Sequence, residues 1–253
     1  KQDKTPTHNF ACAVDDMLND ISLVIRSEDY INNAPEQDYM RTALKYDKKV
    51  EYAHLPNILH ADDISVKSLL EEGFLPEAIS NYLISIGNKP PKEIFTLNEA
   101  MEWLDLEKVS GSPTRFDMAI LRDINQKHLK MLDAKELSRY VGFADEEIGE
   151  LAKVYLKEVS TTKELKAKIA PIFAPKDIPE EFSPQAALLV EAIKSAPHFE
   201  EYDDFKKYIM KESGLEGEIF LKPLCFILTG SEDGTNIAEI YKYLKNYIGE
   251  IVK

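Results

Sequence analysis

His8 and Cys12 stand four residues apart, a spacing that points two metal-binding side chains the same way if the segment is helical. The only other cysteine, Cys225, lies far along the chain. A four-cysteine zinc site is therefore excluded, and packing is the ordinary expectation for the pair. His54 and His60 are isolated histidines of the same kind. Two acidic doublets, Asp15-Asp16 and Glu28-Asp29, carry carboxylates that most often serve turns and caps. The sequence has no Gly-x-Gly-x-x-Gly, no phosphate loop ending in Gly-Lys-Ser/Thr and no His-Glu-x-x-His. No metal held by the protein is expected.

The elements that must position these groups change in kind along the chain. Residues 10–17 read as a short helix, and the β-branched run 21–25 as a buried strand. Asn33 as N-cap and Pro35 in the first turn start a helix running to about Leu44, and residues 50–55 read as a second strand. Strand, helix and strand in that order predict a parallel β-α-β unit. From Ser65 the pattern turns helical. Pro76 opens one helix, the box Thr96-x-x-Glu99 another, residues 109–114 form a loop, and 116–132 is amphipathic. Beyond 132 only helices are expected, with starts at Asp133, Asp145, Thr161 and Ser183-Pro184, a stop at Gly214 and a closing helix over 235–252. The fold class is mostly α with a small α/β start.

The 253 residues are 44% hydrophobic, which suits a folded chain rather than a disordered one. No stretch approaches the ~18 uninterrupted apolar residues of a membrane helix, so no bilayer-spanning segment is expected. The balance of 31 basic to 45 acidic residues gives −14, and the excess concentrates in residues 51–150 with 10 basic and 19 acidic groups. That acidic surface favours solubility and leaves room for a basic stripe, so net charge does not exclude an RNA partner. The chain starts at Lys1 rather than Met. A trimmed version of a longer cytosolic protein is expected.

Ordered strings carry the reading further. They are Pro6-Thr7-His8-Asn9-Phe10-Ala11, Val14-Asp15-Asp16, Ile25-Arg26-Ser27-Glu28-Asp29, Asn33-Ala34-Pro35-x-Gln37 and Tyr52-Ala53-His54-Leu55-Pro56. Further on come Glu72-Gly73-Phe74-Leu75-Pro76-Glu77-Ala78, Asn81-Tyr82-Leu83, Phe95-Thr96-Leu97, Arg115-Phe116-Asp117, Asn125 and Lys222-Pro223-Leu224-Cys225-Phe226-Ile227-Leu228-Thr229-Gly230. In this order, over nearly the whole chain, they resemble bacterial glutamyl-tRNA synthetases, class I aminoacyl-tRNA synthetases. The resemblance implies a partial Rossmann-type catalytic region at 1–60, a stem-contact region at 61–130 and an all-α anticodon-binding region at 131–253. It implies a cytoplasmic monomeric ligase that joins glutamate and ATP, brought in with Mg2+, into glutamyl-adenylate and passes the glutamyl group to tRNA. Glutamylation of a glutamine-type tRNA, or a non-catalytic tRNA-binding protein, stay open as alternatives.

Residue by residue, the resemblance assigns glutamate binding to Arg26, His8 and Cys12. A guanidinium fork suits a carboxylate. The family usually has Tyr where His8 stands and Asn where Cys12 stands, two departures that bear on glutamate selectivity. Glu28, Asp29 and Ile58 fall on the ATP side. Asp16, Arg122, Lys127, Lys163, Lys166 and Lys222 fall to tRNA, with Lys130, Lys168, Lys206, Lys207 and Lys211 as further phosphate contacts. The family commonly has Arg where Cys225 stands. Two signatures of the family are not in the sequence: a His-x-Gly-His string, expected upstream of Lys1, and a Lys-Met-Ser-Lys-type loop, expected between His60 and Ser65. Both stabilise charge on the transferring phosphate. No catalytic residue is therefore assigned, and the chain by itself is expected to be inactive.

Overall fold

In the computed structural model, which describes residues 4–59, 64–232 and 237–252, the chain divides into two units, Lys1–Ser68 with Pro76–Ile124 and Leu69–Leu75 with Asn125–Lys253. The His60–Ser65 junction, where the mobile loop was expected, lies largely outside the described residues.

The first unit opens with α1 (His8–Leu18), started by Thr7, whose side chain accepts the Phe10 N–H. β1 (Leu23–Ser27), α2 (Asn33–Ala43) and β2 (Glu51–Leu55) follow. The strands pair in parallel with Arg26 opposite His54, and α2 is the crossover the sequence predicted. β1 is not the buried strand expected: Leu23 and Ile25 are 41% and 50% exposed. Among the described residues β1 has one strand neighbour, and side chains of α2 meet the face carrying Arg26 and Tyr52 rather than the other. Asn33 is not the N-cap either. A 3-10 turn over Glu28–Tyr30 delivers Asn32 already in helical backbone, so no extended cap geometry arises and Asn32 makes no side-chain cap bond.

α3 (Val66–Glu71), α4 (Pro76–Ser85) and α5 (Leu97–Trp103) come next, α5 with both halves of the Thr96–Glu99 capping box in place. The loop expected over 109–114 ends in a strand. β4 (Thr114–Arg115) pairs in parallel with β3 (Ile58–Leu59). Two-residue strands have no periodicity to read. α6 (Met118–Met131) is the amphipathic helix expected. Just before it the Asp117 N–H donates to the buried Tyr82 hydroxyl at 2.7 Å, and the Tyr82 ring meets Phe116 edge-on.

In the second unit every element of the described residues beyond 132 is helical: α7 (Ala134–Val141), α8 (Glu146–Tyr155), α9 (Thr162–Phe173), α10 (Ser183–Ser195), α11 (Tyr202–Ser213), α12 (Glu218–Thr229), α13 (Ile237–Leu244) and α14 (Ile248–Ile251). Leu137, Leu151, Leu165, Ile169, Leu189, Phe205, Phe220 and Leu224 are buried among them. The segment 69–75 is sewn into this unit. Asn125 Oδ1 accepts the Leu75 N–H at 2.8 Å while its amide donates to Ser160 O, and Gly73 O accepts the Thr162 N–H at 2.9 Å. A Cβ at Gly73, with φ +86°, would meet Lys163 N at 2.5 Å, so glycine is required there.

Two expectations are corrected in this unit. Ser183 is the first residue of α10 rather than its cap, because a 3-10 turn over Glu180–Phe182 runs directly into the helix. The closing helix is two helices, and Thr235 lies outside the described residues. The chain leaves α13 so that Asn246 and Tyr247 reach Glu147 and Asp145 at the start of α8.

Candidate functional site

Side chains alternate along strands, so the register that sets Arg26 opposite His54 puts Arg26, Tyr52 and His54 on one face of the first unit's two-stranded sheet. Arg26 Cζ lies 4.9 Å from the centre of the Tyr52 ring, and its Nε approaches His54 Nε2 at 3.5 Å. From α2, the fully buried Gln37 accepts from Arg26 Nη1 at 2.9 Å. Among the described residues no carboxylate pairs with this guanidinium, and Nη2 is buried without a hydrogen-bond partner. A buried donor left unmade costs about 1–3 kcal/mol, so the arrangement suits an external acceptor. A guanidinium held by a ring and a neutral amide keeps its charge and the Nη2 donors for a carboxylate.

His54 shares this environment. Burial, and after it the positive charge of Arg26, lower its pKa below the usual 6.5. The folded protein therefore takes up this proton later than the unfolded chain as pH falls. Stability is full above 6.5 and declines once pH drops below it. An NMR titration of the His54 ring should give a midpoint below 6.5, and a midpoint at or above 6.5 would contradict this placement.

His8 and Cys12 occupy one side of α1, with Cys12 Sγ 3.6 Å from His8 Nδ1. His8 also lies 5.7 Å from the Tyr30 ring. Among the described residues no group of three or more metal-ligating side chains forms. Asp16, on the same helix, lies 3.6 Å from Nη1 of Arg41, with its side chain 23% exposed. It faces this internal cation.

Arg41 is a residue that sequence reasoning missed. It is 2% exposed, donates to Asp38 Oδ1 at 2.5 Å and to the Tyr52 hydroxyl, and sits 5.8 Å from the same ring that supports Arg26. Burial opposes its charge, but the hydrogen bonds to Asp38 and Tyr52 outweigh that and raise its pKa. Arg41→Met should lower the stability of the first unit by about 2 kcal/mol, below the ~3–5 expected for a broken buried pair because Asp38 is half exposed. Urea unfolding followed by Trp103, the single tryptophan and part of this unit, measures it. An unchanged midpoint would show that the cluster holds nothing together. Only tertiary structure reveals what Arg41 and Gln37 touch, since both lie on α2 with an even spread of polar neighbours in sequence.

On the ATP side the structure brings the three residues assigned there close together. Asn57, next to Ile58, donates from its side chain to Asp29 Oδ1 at 2.7 Å, and its N–H lies 3.5 Å from Glu28 Oε1. Ser27 ties the turn down by donating to Asn57 Oδ1 at 2.5 Å. On the opposite face of the sheet, Ile25, Leu55, Pro56 and Ile58 line an apolar cavity of about 480 Å³ with residues of α4 and the loop 104–109.

Besides Asp16 on α1, the tRNA candidates are spread over α6, α9, α11 and α12. Arg122 and Lys127 lie on α6, both half-buried. Lys163 and Lys166 are exposed on α9, and Lys222 is exposed on α12, which packs against α9. Lys163 pairs with Glu72 at 2.8 Å, Lys168 with Glu158 at 2.7 Å and Lys222 with Glu218 at 3.6 Å. Any phosphate must compete with those carboxylates. Cys225 is buried in the core of α12 and offers no surface contact.

A family profile described as the catalytic domain of class I tRNA synthetases (E and Q) matches residues 1–123. Glutamate--tRNA ligase 2 of Sulfurimonas denitrificans is 63% identical over the whole chain, and glutamate--tRNA ligase 1 of Nitratiruptor sp. is 51% identical. The chain spans 61% of the length of each of these relatives. A crystal structure of a glutamate tRNA ligase from Elizabethkingia meningosepticum, in complex with its amino acid, superposes with a TM-score of 0.71 over 99% of this chain and 60% of that one, at 23% identity. Residues 1–123 thus match the catalytic-domain profile of class I tRNA synthetases (E and Q), and the whole chain is similar to part of these glutamate--tRNA ligases.

Proposed function

We propose that the chain is part of a glutamate--tRNA ligase. In that reading the α-carboxylate of L-glutamate attacks the α-phosphorus of ATP, which enters as its Mg2+ complex, and pyrophosphate leaves. A terminal ribose hydroxyl at the 3′ end of tRNA(Glu) then attacks the adenylate's acyl carbon, the glutamyl ester forms and AMP leaves, in cytoplasmic translation. The observation that carries this reading is Arg26, held by Gln37 and Tyr52 with Nη2 buried and without a hydrogen-bond partner. Its part is to bind the side-chain carboxylate and orient the α-carboxylate for attack. Glu28 and Asp29, bound to Asn57 beside Ile58, shape the nucleotide side. His8 and Cys12 border the amino acid. Phosphate-charge stabilisation belongs to the two signature strings, and no residue of this chain is assigned that step.

The division into a catalytic region at 1–60, a stem-contact region at 61–130 and an anticodon-binding bundle at 131–253 belongs to the same reading, as does a monomer. Among the described residues no helix is long and apolar enough to cross a membrane. Calorimetric titration of the chain with L-glutamate tests the reading. Saturable binding that outcompetes L-glutamine supports it, and absence of L-glutamate binding overturns it. Aminoacylation by the complete gene product, with purified tRNA(Glu) and tRNA(Gln), tells which adaptor is charged.

A further inference from the structure

We propose that Gln37 is the positioning residue that aims Arg26 at an acidic ligand and keeps its charge unspent, so that the site prefers a carboxylate side chain over the matching amide. The inference rests on the glutamate reading above and names the residue behind its selectivity.

Gln37 lies on α2 and is 0% exposed, which is unusual for a polar side chain and calls for partners at both ends. It has them. Its Oε1 accepts from Arg26 Nη1 at 2.9 Å, and its Nε2 donates to Asn9 Oδ1 at 3.4 Å. Asn9 in turn donates to Glu36 Oε2 at 2.6 Å. One amide thus joins β1 to α1, the helix that carries His8 and Cys12, and both walls of the amino-acid site are set by it.

The chemistry of the group matters as much as its place. An amide oxygen occupies one nitrogen of the guanidinium and leaves the full positive charge for a ligand. A carboxylate there would neutralise that charge from within. The chain has a carboxylate one residue away, Glu36, and turns it to Asn9 instead. The Tyr52 ring fixes the guanidinium from its face, so rotation that would bring Nη2 to another partner is blocked.

The test uses the chain with Gln37→Glu and Gln37→Met, titrated calorimetrically with L-glutamate and L-glutamine. Far-UV circular dichroism and Trp103 fluorescence verify folding. Gln37→Glu should weaken L-glutamate about 100-fold and leave L-glutamine within about twofold, collapsing the selectivity. Gln37→Met, of similar shape and uncharged, should weaken L-glutamate about tenfold, and it carries the test alone if the buried charge prevents folding. Equal weakening of both ligands would show a merely structural role and overturn the inference, as would variants that keep the glutamate-to-glutamine ratio of the unmodified chain. Failure of the unmodified chain to bind L-glutamate would overturn the proposed function itself, and the inference with it.

Discussion

Arg26→Ala should weaken L-glutamate binding by about 100-fold or more, a loss of roughly 3 kcal/mol. The size follows from what the side chain does. It is the one cation on this face of the sheet without a carboxylate partner among the described residues, and its Nη2 is already stripped of solvent. The cost of desolvating the charge is met during folding, so a ligand carboxylate gains most of the charge-assisted bond. Truncation removes that gain and strands Gln37 Oε1 in a buried position. Arg26→Lys separates the two effects: a point charge without the fork should recover part of the affinity, leaving about a tenfold deficit. Calorimetric titration measures both variants. Affinity in Arg26→Ala equal to that of the unmodified chain would remove Arg26 from the site.

The second large effect lies far from any ligand. Gly149→Ala should destabilise the second unit by about 3 kcal/mol, because a Cβ on Gly149 would sit 1.7 Å from the carbonyl oxygen of Ala134. The obstacle is backbone, which cannot swing aside as a side chain can, so α7 and α8 must move apart. Their separation opens the layer that buries Leu137 and Leu151. For a unit of this size the change corresponds to a fall in Tm on the order of 10 °C by far-UV circular dichroism. Gly249→Ala is the control. It lies in α14, where an added Cβ meets nothing within 4 Å, and it should be neutral or slightly stabilising. Equal behaviour of the two variants would mean that α7 and α8 are not in close backbone contact.

How much of this was legible beforehand depends on the range of the interaction involved. Caps were legible: Thr96 with Glu99 and Asp133 with Glu136 form complete capping boxes where their spacing predicts them. Each uses groups three residues apart, and local sequence holds the whole interaction. The parallel β-α-β order was legible for the same reason, since strand, helix and strand follow one another directly. Asn33, Ser183 and the closing helix were misjudged because a 3-10 turn or a distant partner, Asp145 for Tyr247, altered the local geometry.

By itself the sequence determined a mostly helical chain with a parallel α/β start, and ordered strings that mark out Arg26. Those properties follow from neighbours in the chain and from residue types read in order. Only the tertiary structure decided that Arg26 stacks on Tyr52, leans on Gln37 and meets no internal carboxylate among the described residues. It alone showed that Asp16 faces Arg41 and that Lys163 already holds an acidic partner, Glu72. The physical reason is that a charge's availability depends on what lies within about 4 Å of it in space. Those neighbours come from β2, α2 and chain segments up to ninety residues away, a relation that spacing along the chain does not encode.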